Sequence, residues 1–212
     1  MSVLGLAARW AHLGCGLGLV GIFSLSLLAG RSERPTADAW ALSTLALARW
    51  LAVGALLLGF ATLGHQLSVV SGDPGALLDP ALWLRLLFHS RFGTVWLVRH
   101  GLLVLLAALV LLREREESVL DWTAWRLEAW ALGVVALAAT AWAGHAVAVE
   151  SQDPGAVLAD AVHLVAAGTW LGALLPLALL LRAASREAGA DARPYAVLAV
   201  RRFSRVALGA ML

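Results

Sequence analysis

Five runs of about twenty mostly apolar residues dominate this chain, roughly Arg9 to Ala29, Trp50 to Val70, Phe92 to Leu112, Ala129 to Val149 and Ala161 to Leu181. A sixth begins at about Phe203 and is still running at Leu212. About 20 apolar residues make a helix long enough to cross the ~30 Å hydrocarbon core of a bilayer. Inside that core no water is present to bond a free N–H or C=O, so the backbone has to close its hydrogen bonds within each helix. The expected fold is therefore all-α: a polytopic transmembrane helix bundle over residues 1–212, with five complete spans and the start of a sixth. Composition agrees, since 61% of the 212 residues are apolar and 14% are charged, where a soluble domain carries roughly a quarter charged. The first eight residues lack a basic start and a small-residue cleavage site, so the first span reads as retained. The last span reads as cut short.

Orientation follows from arginine, because cytoplasmic loops concentrate basic residues. All 16 basic residues are Arg, and with alternating spans twelve fall on one side and four (Arg9, Arg85, Arg91, Arg99) on the other. The Arg-rich side reads as cytoplasmic, which puts the N-terminus outside. The absence of Lys, with the Ala and Leu richness, points to a GC-rich bacterial genome, and outside then means the periplasm of a cell inner membrane. Trp10, Trp50, Trp122, Trp125 and Trp130 fall where an interfacial belt is expected. Trp40 to Ala48 reads either as an interfacial helix or as an extension of the second span, and Pro80 to Arg91 as a short amphipathic helix on the outer surface. Leu112 to Asp121 is a solvated mixed-charge loop, and Arg182 to Arg202 a longer cytoplasmic one. A single cysteine, Cys15, excludes an intrachain disulfide. No basic patch with interleaved aromatics is present, so nucleic acid is not an expected partner; the lipid bilayer is.

The polar residues gather at one corner. Between Ala141 and Gly172 an apolar helix end, an acidic loop and a new apolar helix carry His145 and His163, with Glu150, Asp153 and Asp160 between them. The corner occurs twice: Gly64 to Leu78 (GHQLSVVSGDPGALL) aligns with Gly144 to Leu158 (GHAVAVESQDPGAVL) at nine of fifteen positions, and the overlap runs back to Trp50 over Trp130. We read an internal helix–loop duplication, 50–78 and 130–158. Duplication alone accounts for the Asp-Pro-Gly turn but does not require the histidine, so His65 and His145 are expected to act together, with the second and fourth spans side by side. All six histidines fall in the outer half of the expected topology. Ionisable groups within a membrane are costly and usually face the bundle interior or a cavity, and imidazole suits copper or haem iron. His65, His145 and His163 are the leading metal-ligand candidates and His12 a further one. Asp160, three residues before His163, and Glu150 are placed to orient them as outer acceptors. Cys15 shares the His12 face and reads either as a further ligand or as a small packed residue. Arg99 either snorkels outward, forms a structural pair, or meets an anionic group near His100.

Asp160, His163, the run Gly168-Thr169-Trp170-Leu171-Gly172 and the later Arg201-Arg202-Phe203-Ser204-Arg205 resemble the CopD (PcoD) family of bacterial inner-membrane copper-resistance proteins. Thr94, Trp96 and Arg99, with Gly144-His145, resemble it too, and the likeness is clearest from Gly64 onward. The resemblance implies a copper-handling protein that moves copper from the periplasm toward the cytoplasm, beside the periplasmic copper carrier CopC. No phosphate-binding glycine loop and no nucleophile–base pair stand out, so neither ATP chemistry nor an enzyme is expected. The alternative is a haem b-binding electron carrier resembling cytochrome b561-type bundles, with His65 and His145 as axial ligands.

Overall fold

The structure is a computed structural model that describes residues 3–113, 118–143, 154–186 and 192–211. Every regular element in them is helical: α1 Val3–Ala29, α2 Pro35–Ser71, α3 Pro80–His89, α4 Arg91–Leu111, α5 Val119–Ala138, α6 Pro154–Trp170, α7 Leu174–Arg186 and α8 Ala192–Met211, with tight 3-10 turns at Pro74–Leu78 and Ala139–Ala143. The boundaries follow local chemistry. Gly30 and Gly72 close α1 and α2 in the left-handed conformation, at φ 79° and 69°, which a glycine enters without steric cost. Asp79 caps α3 by accepting from the Ala81 amide at 2.9 Å, and Ser90 caps α4 by accepting from Gly93 at 2.9 Å. Prolines open α2 and α3, where their missing N–H costs nothing.

Helices α1, α2 and α4 and the α6–α7 segment Pro154–Arg186 are each long and apolar enough to cross a membrane. The expected fourth span begins in the second half of α5, whose first half carries Asp121, Arg126 and Glu128, and its end lies outside the described residues. Trp40 to Ala48 is an extension of the second span, since α2 runs 37 residues without a break, about 55 Å at 1.5 Å per residue. The amphipathic helix expected at 80–91 is α3. The cytoplasmic loop expected at 182–202 is shorter than that, because α7 runs to Arg186 and α8 starts at Ala192.

Four helices form the central bundle. Helix α1 packs on α2 and α5, and α4 packs on the same two, so α1 faces α4, and α2 faces α5, across the diagonals. Leu19, Phe23, Ala52, Leu106, Trp125 and Ala129 fill the core between them. The second and fourth spans were expected side by side; among the described residues they stand across the bundle from each other, with α1 and α4 between. The tryptophan belt also divides. Trp10 and Trp50 are exposed, but Trp125 is 4% exposed and stacks edge-on to Phe23, and Trp130 turns in to donate to Ser24 Oγ at 3.0 Å.

The fifth span is broken in the middle. Pro176 has no N–H to give to the Gly172 carbonyl and its ring crowds that carbonyl, so α6 ends at Trp170 and α7 starts at Leu174. Pro176 also ties the break to α2, its carbonyl accepting from Trp40 Nε1 at 2.8 Å. At this break α1 comes to backbone contact: a Cβ on Gly21 would strike Gly172, and one on Gly172 would strike the Leu17 carbonyl. Small residues are what allow such close helix approach in a membrane. The Gly168 to Gly172 run is thus a packing seam. Helix α8 seals the other end of α1, where Arg202 donates to the Leu28 carbonyl at 3.0 Å and Tyr195 to that of Gly30 at 3.0 Å. Burial pushes the Tyr195 phenol up to about 12, so it stays a donor.

Candidate functional site

His12 lies nine residues into α1 and His100 nine residues into α4, each about 14 Å from its helix start. Both point to the bundle axis, and both are buried, at 7% and 5% exposure. Their rings stack with planes 8° apart and centroids 5.9 Å apart. On its other face His100 stacks on Trp96 at 3.7 Å, and Phe60 meets its edge at 5.5 Å. Trp96 is held in turn by donating to the Gly59 carbonyl at 3.0 Å.

The two imidazoles differ in what satisfies them. His12 Nδ1 lies 2.9 Å from the Ala55 carbonyl, which can only accept, so Nδ1 carries the proton and Nε2 presents a lone pair. Arg99 donates to that lone pair at 2.8 Å through one terminal nitrogen, while its Nε donates to the Ala136 carbonyl in the last turn of α5 at 3.3 Å. A cation on the final carbonyls of a helix also complements its dipole. Arg99 is therefore a structural pair, turned inward rather than snorkelling. His100 has no such arrangement: the carbonyls of Leu56 and Trp96 lie near its ring, but neither nitrogen makes a hydrogen bond of normal geometry among the described residues. Buried polar atoms without a partner are costly, and Gly59 shows what the fold keeps open for them. A Cβ at Gly59 would run into His100 Nε2 and come within 3.2 Å of His12 Cε1. The absence of that one methyl group lets both ring edges converge on α2. A narrow pocket beside them is lined by His12, Ala55, Arg99, Leu103, Gly133 and Ala136.

Of the residues singled out in the sequence, His12 lies in this centre, and the others among the described residues lie on separate helices. His65 is half-buried near the C-terminal end of α2, packed where Gly5 of α1 leaves room for its ring. His163 is exposed on α6 and Asp160 is half-buried one turn before it. His145 and Glu150 lie outside the described residues, so the duplicated pair His65 and His145 is not seen together. Among the described residues no three His, Cys, Asp or Glu side chains come together as a metal cage. Cys15 packs against Gly54, 3.3 Å from where a Cβ would sit, at the edge of the core. Sequence reasoning missed His100. Its signal was depth: with the first helix starting at Val3, His12 and His100 sit at one level in two helices.

The haem reading asked for His65 and His145 to face each other at one depth, and His145 lies outside the described residues.

Residues 1–152 match the family described as copper resistance protein D-like, N-terminal domain. The chain is 35% identical over 143 residues to the copper transport protein CutJ of Bacillus subtilis (strain 168), which covers 66% of this chain and 25% of that protein. It is 35% identical over 141 residues to copper resistance protein D of Pseudomonas syringae pv. tomato, covering 60% of this chain and 43% of that protein. The chain thus spans less than half the length of either relative. No solved structure matches it.

Proposed function

Since the chain belongs to the copper resistance protein D-like family, we propose that it is the N-terminal part of a multi-pass carrier that moves copper from the periplasm toward the cytoplasm. The observation that carries this reading is the pair of buried histidines, His12 and His100, meeting at the centre of the four-helix bundle. Ionisable residues placed there mark substrate or ion pathways, and imidazole is a ligand copper accepts. The chain acts as a carrier and not as an enzyme. It sits in the inner membrane with its N-terminus outside, in keeping with the arginine distribution. His65, His145 and His163, with Glu150 and Asp160 orienting them, would capture the ion near the outer surface, where His65 already stands half-buried at the α1–α2 seam. CopC, or a periplasmic carrier like it, would deliver copper there.

Copper accumulation in cells tests the reading. Cells producing the full-length protein should hold several-fold more cytoplasmic copper at a fixed external concentration than cells lacking it, measured by mass spectrometry of spheroplasts. Less copper in producing cells would reverse the direction, and equal copper would remove the metal from the reading.

A further inference from the structure

We propose that the outward face of α3 docks onto the lipid bilayer and selects anionic phospholipid, with Leu84 and Phe88 entering the acyl layer and Arg85 and Arg91 meeting the phosphate headgroups. This surface is separate from the buried histidines and goes beyond the copper-carrying reading.

Helix α3, Pro80–His89, divides round its axis into three sectors. At about 100° per residue, Leu82, Trp83, Leu86 and Leu87 fill one side, and they cluster with Leu63 and Leu67 of α2 and Trp96 of α4. Away from that side Leu84 and Phe88, one turn apart, are 56% and 63% exposed, and Leu78, just before the Asp79 cap, is 89% exposed. Arg85 and His89, also one turn apart, take the remaining sector, and both are exposed. A helix that buries one side against a soluble core carries polar residues round the rest. Here the uncovered part is split between apolar and basic, with no acidic residue in the helix. That division suits a helix lying in a membrane interface, where apolar side chains enter the acyl boundary and cations stay among the headgroups.

The face is held in place from both ends. Trp83 donates to the Leu77 carbonyl at 3.0 Å, and its ring lies against Gly64 of α2, 3.3 Å from where a Cβ would sit. At the other end a Cβ on Gly93 would strike the Leu86 and Leu87 carbonyls, so α4 starts in backbone contact with α3. Leu84 and Phe88 are thus presented by a fixed helix, and docking has little left to order. The charges are available as well. Asp79, the acid nearest in sequence, is occupied in capping Ala81. Among the described residues neither Arg85 nor Arg91 makes an ion pair. Arg91 opens α4, where the helix dipole opposes a cation, so its charge does not serve the helix. Helices α2 and α4, on which α3 rests, are each long and apolar enough to cross a membrane. The anion within reach of this face is therefore a lipid phosphate, and each arginine near an anionic bilayer surface favours binding by about fivefold.

The test reads what covers position 88. Full-length protein, made cysteine-free through Cys15→Ala and replacement of any other cysteine, carries Phe88→Cys labelled with a small fluorophore and is reconstituted into vesicles of phosphatidylcholine mixed with phosphatidylglycerol. Its emission is quenched in turn by a water-soluble nitroxide and by trace phosphatidylcholine or phosphatidylglycerol bearing the same nitroxide near the headgroup. Positions 85, 88 and 91 are exposed, so the substitutions leave the packing of α3 intact. Both lipid nitroxides should quench more strongly than the aqueous one, and the phosphatidylglycerol nitroxide at least about fivefold more than the phosphatidylcholine one, the effect of one arginine. Arg85→Gln with Arg91→Gln should make the two lipids quench equally while the aqueous nitroxide stays weak. Strong quenching by the aqueous nitroxide would put the face in water, and protection from all three would put a protein surface over it. Either result overturns the proposal, as does equal quenching by the two lipids before the arginines are changed or a phosphatidylglycerol preference that survives their removal.

Discussion

The two copies of the duplicated unit, residues 50–78 and 130–158, share their sequence far better than the structure of their described residues. In the first copy α2 runs unbroken past Gly59 to Ser71 and turns through a short 3-10 segment at Pro74. In the second, α5 ends at Ala138, one residue before the position aligned with Gly59, and tightens into a 3-10 turn. Each copy offers a backbone carbonyl to the buried polar centre, Ala55 to His12 and Ala136 to Arg99, from opposite corners of the bundle. The aligned tryptophans have parted as well: Trp50 is 77% exposed, whereas Trp130 is bonded to Ser24. Duplication kept the helix while the surroundings gave the described parts of the two copies different tasks. The histidines that meet, His12 and His100, belong to neither copy.

The largest expected difference between the copies is at Gly59 and Ala139. Gly59→Ala puts a methyl group onto the His100 ring and should destabilise the protein by about 3 kcal/mol, the upper range for overpacking a filled core. The mirror change, Ala139→Gly, adds only backbone freedom and should cost about 1 kcal/mol. Denaturant unfolding in detergent, followed by tryptophan fluorescence, compares them. Equal losses would mean that the close approach at Gly59 does not distinguish the copies.

A smaller contrast lies at the aligned tryptophans. Trp130→Phe removes the donor to Ser24 Oγ and should cost about 1 kcal/mol, while Trp50→Phe, on the lipid-facing side, should stay within about 0.5 kcal/mol of the wild type. The same unfolding measurement reads both, and a Trp50→Phe loss as large as that of Trp130→Phe would contradict the division of roles.

Much of the fold was legible because apolar length and turn chemistry are local. The first three spans, α3 and the turn at Asp73-Pro74-Gly75 all follow from residues adjacent in sequence. The break at Pro176 was also in reach, since a proline inside an apolar run marks a kink, but the run was read as one helix for its length. What escaped was pairing across the bundle. Periodicity says that α2 has a buried face; it does not say whether α5 or α1 covers it, and the duplication suggested the wrong neighbour. The buried polar centre escaped for a related reason. His65 and His145 drew attention by repetition, which reports ancestry, whereas His12, Arg99 and His100 converge through helix depth and the missing Cβ of Gly59. His163 shared a motif with the family, but the side chain faces outward from α6, and the motif's glycines turn out to hold helices together. Arg202 shows the same substitution of roles, a motif arginine that caps α1.

The central claim is that the carrier's function depends on the unduplicated histidines at the bundle centre. Copper accumulation in cells producing the full-length protein, measured by mass spectrometry of spheroplasts, tests it most directly. We expect the several-fold gain over cells lacking the protein to be lost in the His12→Gln, His100→Phe double variant, produced at the wild-type level, and at most partly reduced in His65→Ala. A gain that survives the double variant and disappears in His65→Ala would place the function at the duplicated corner and contradict the account.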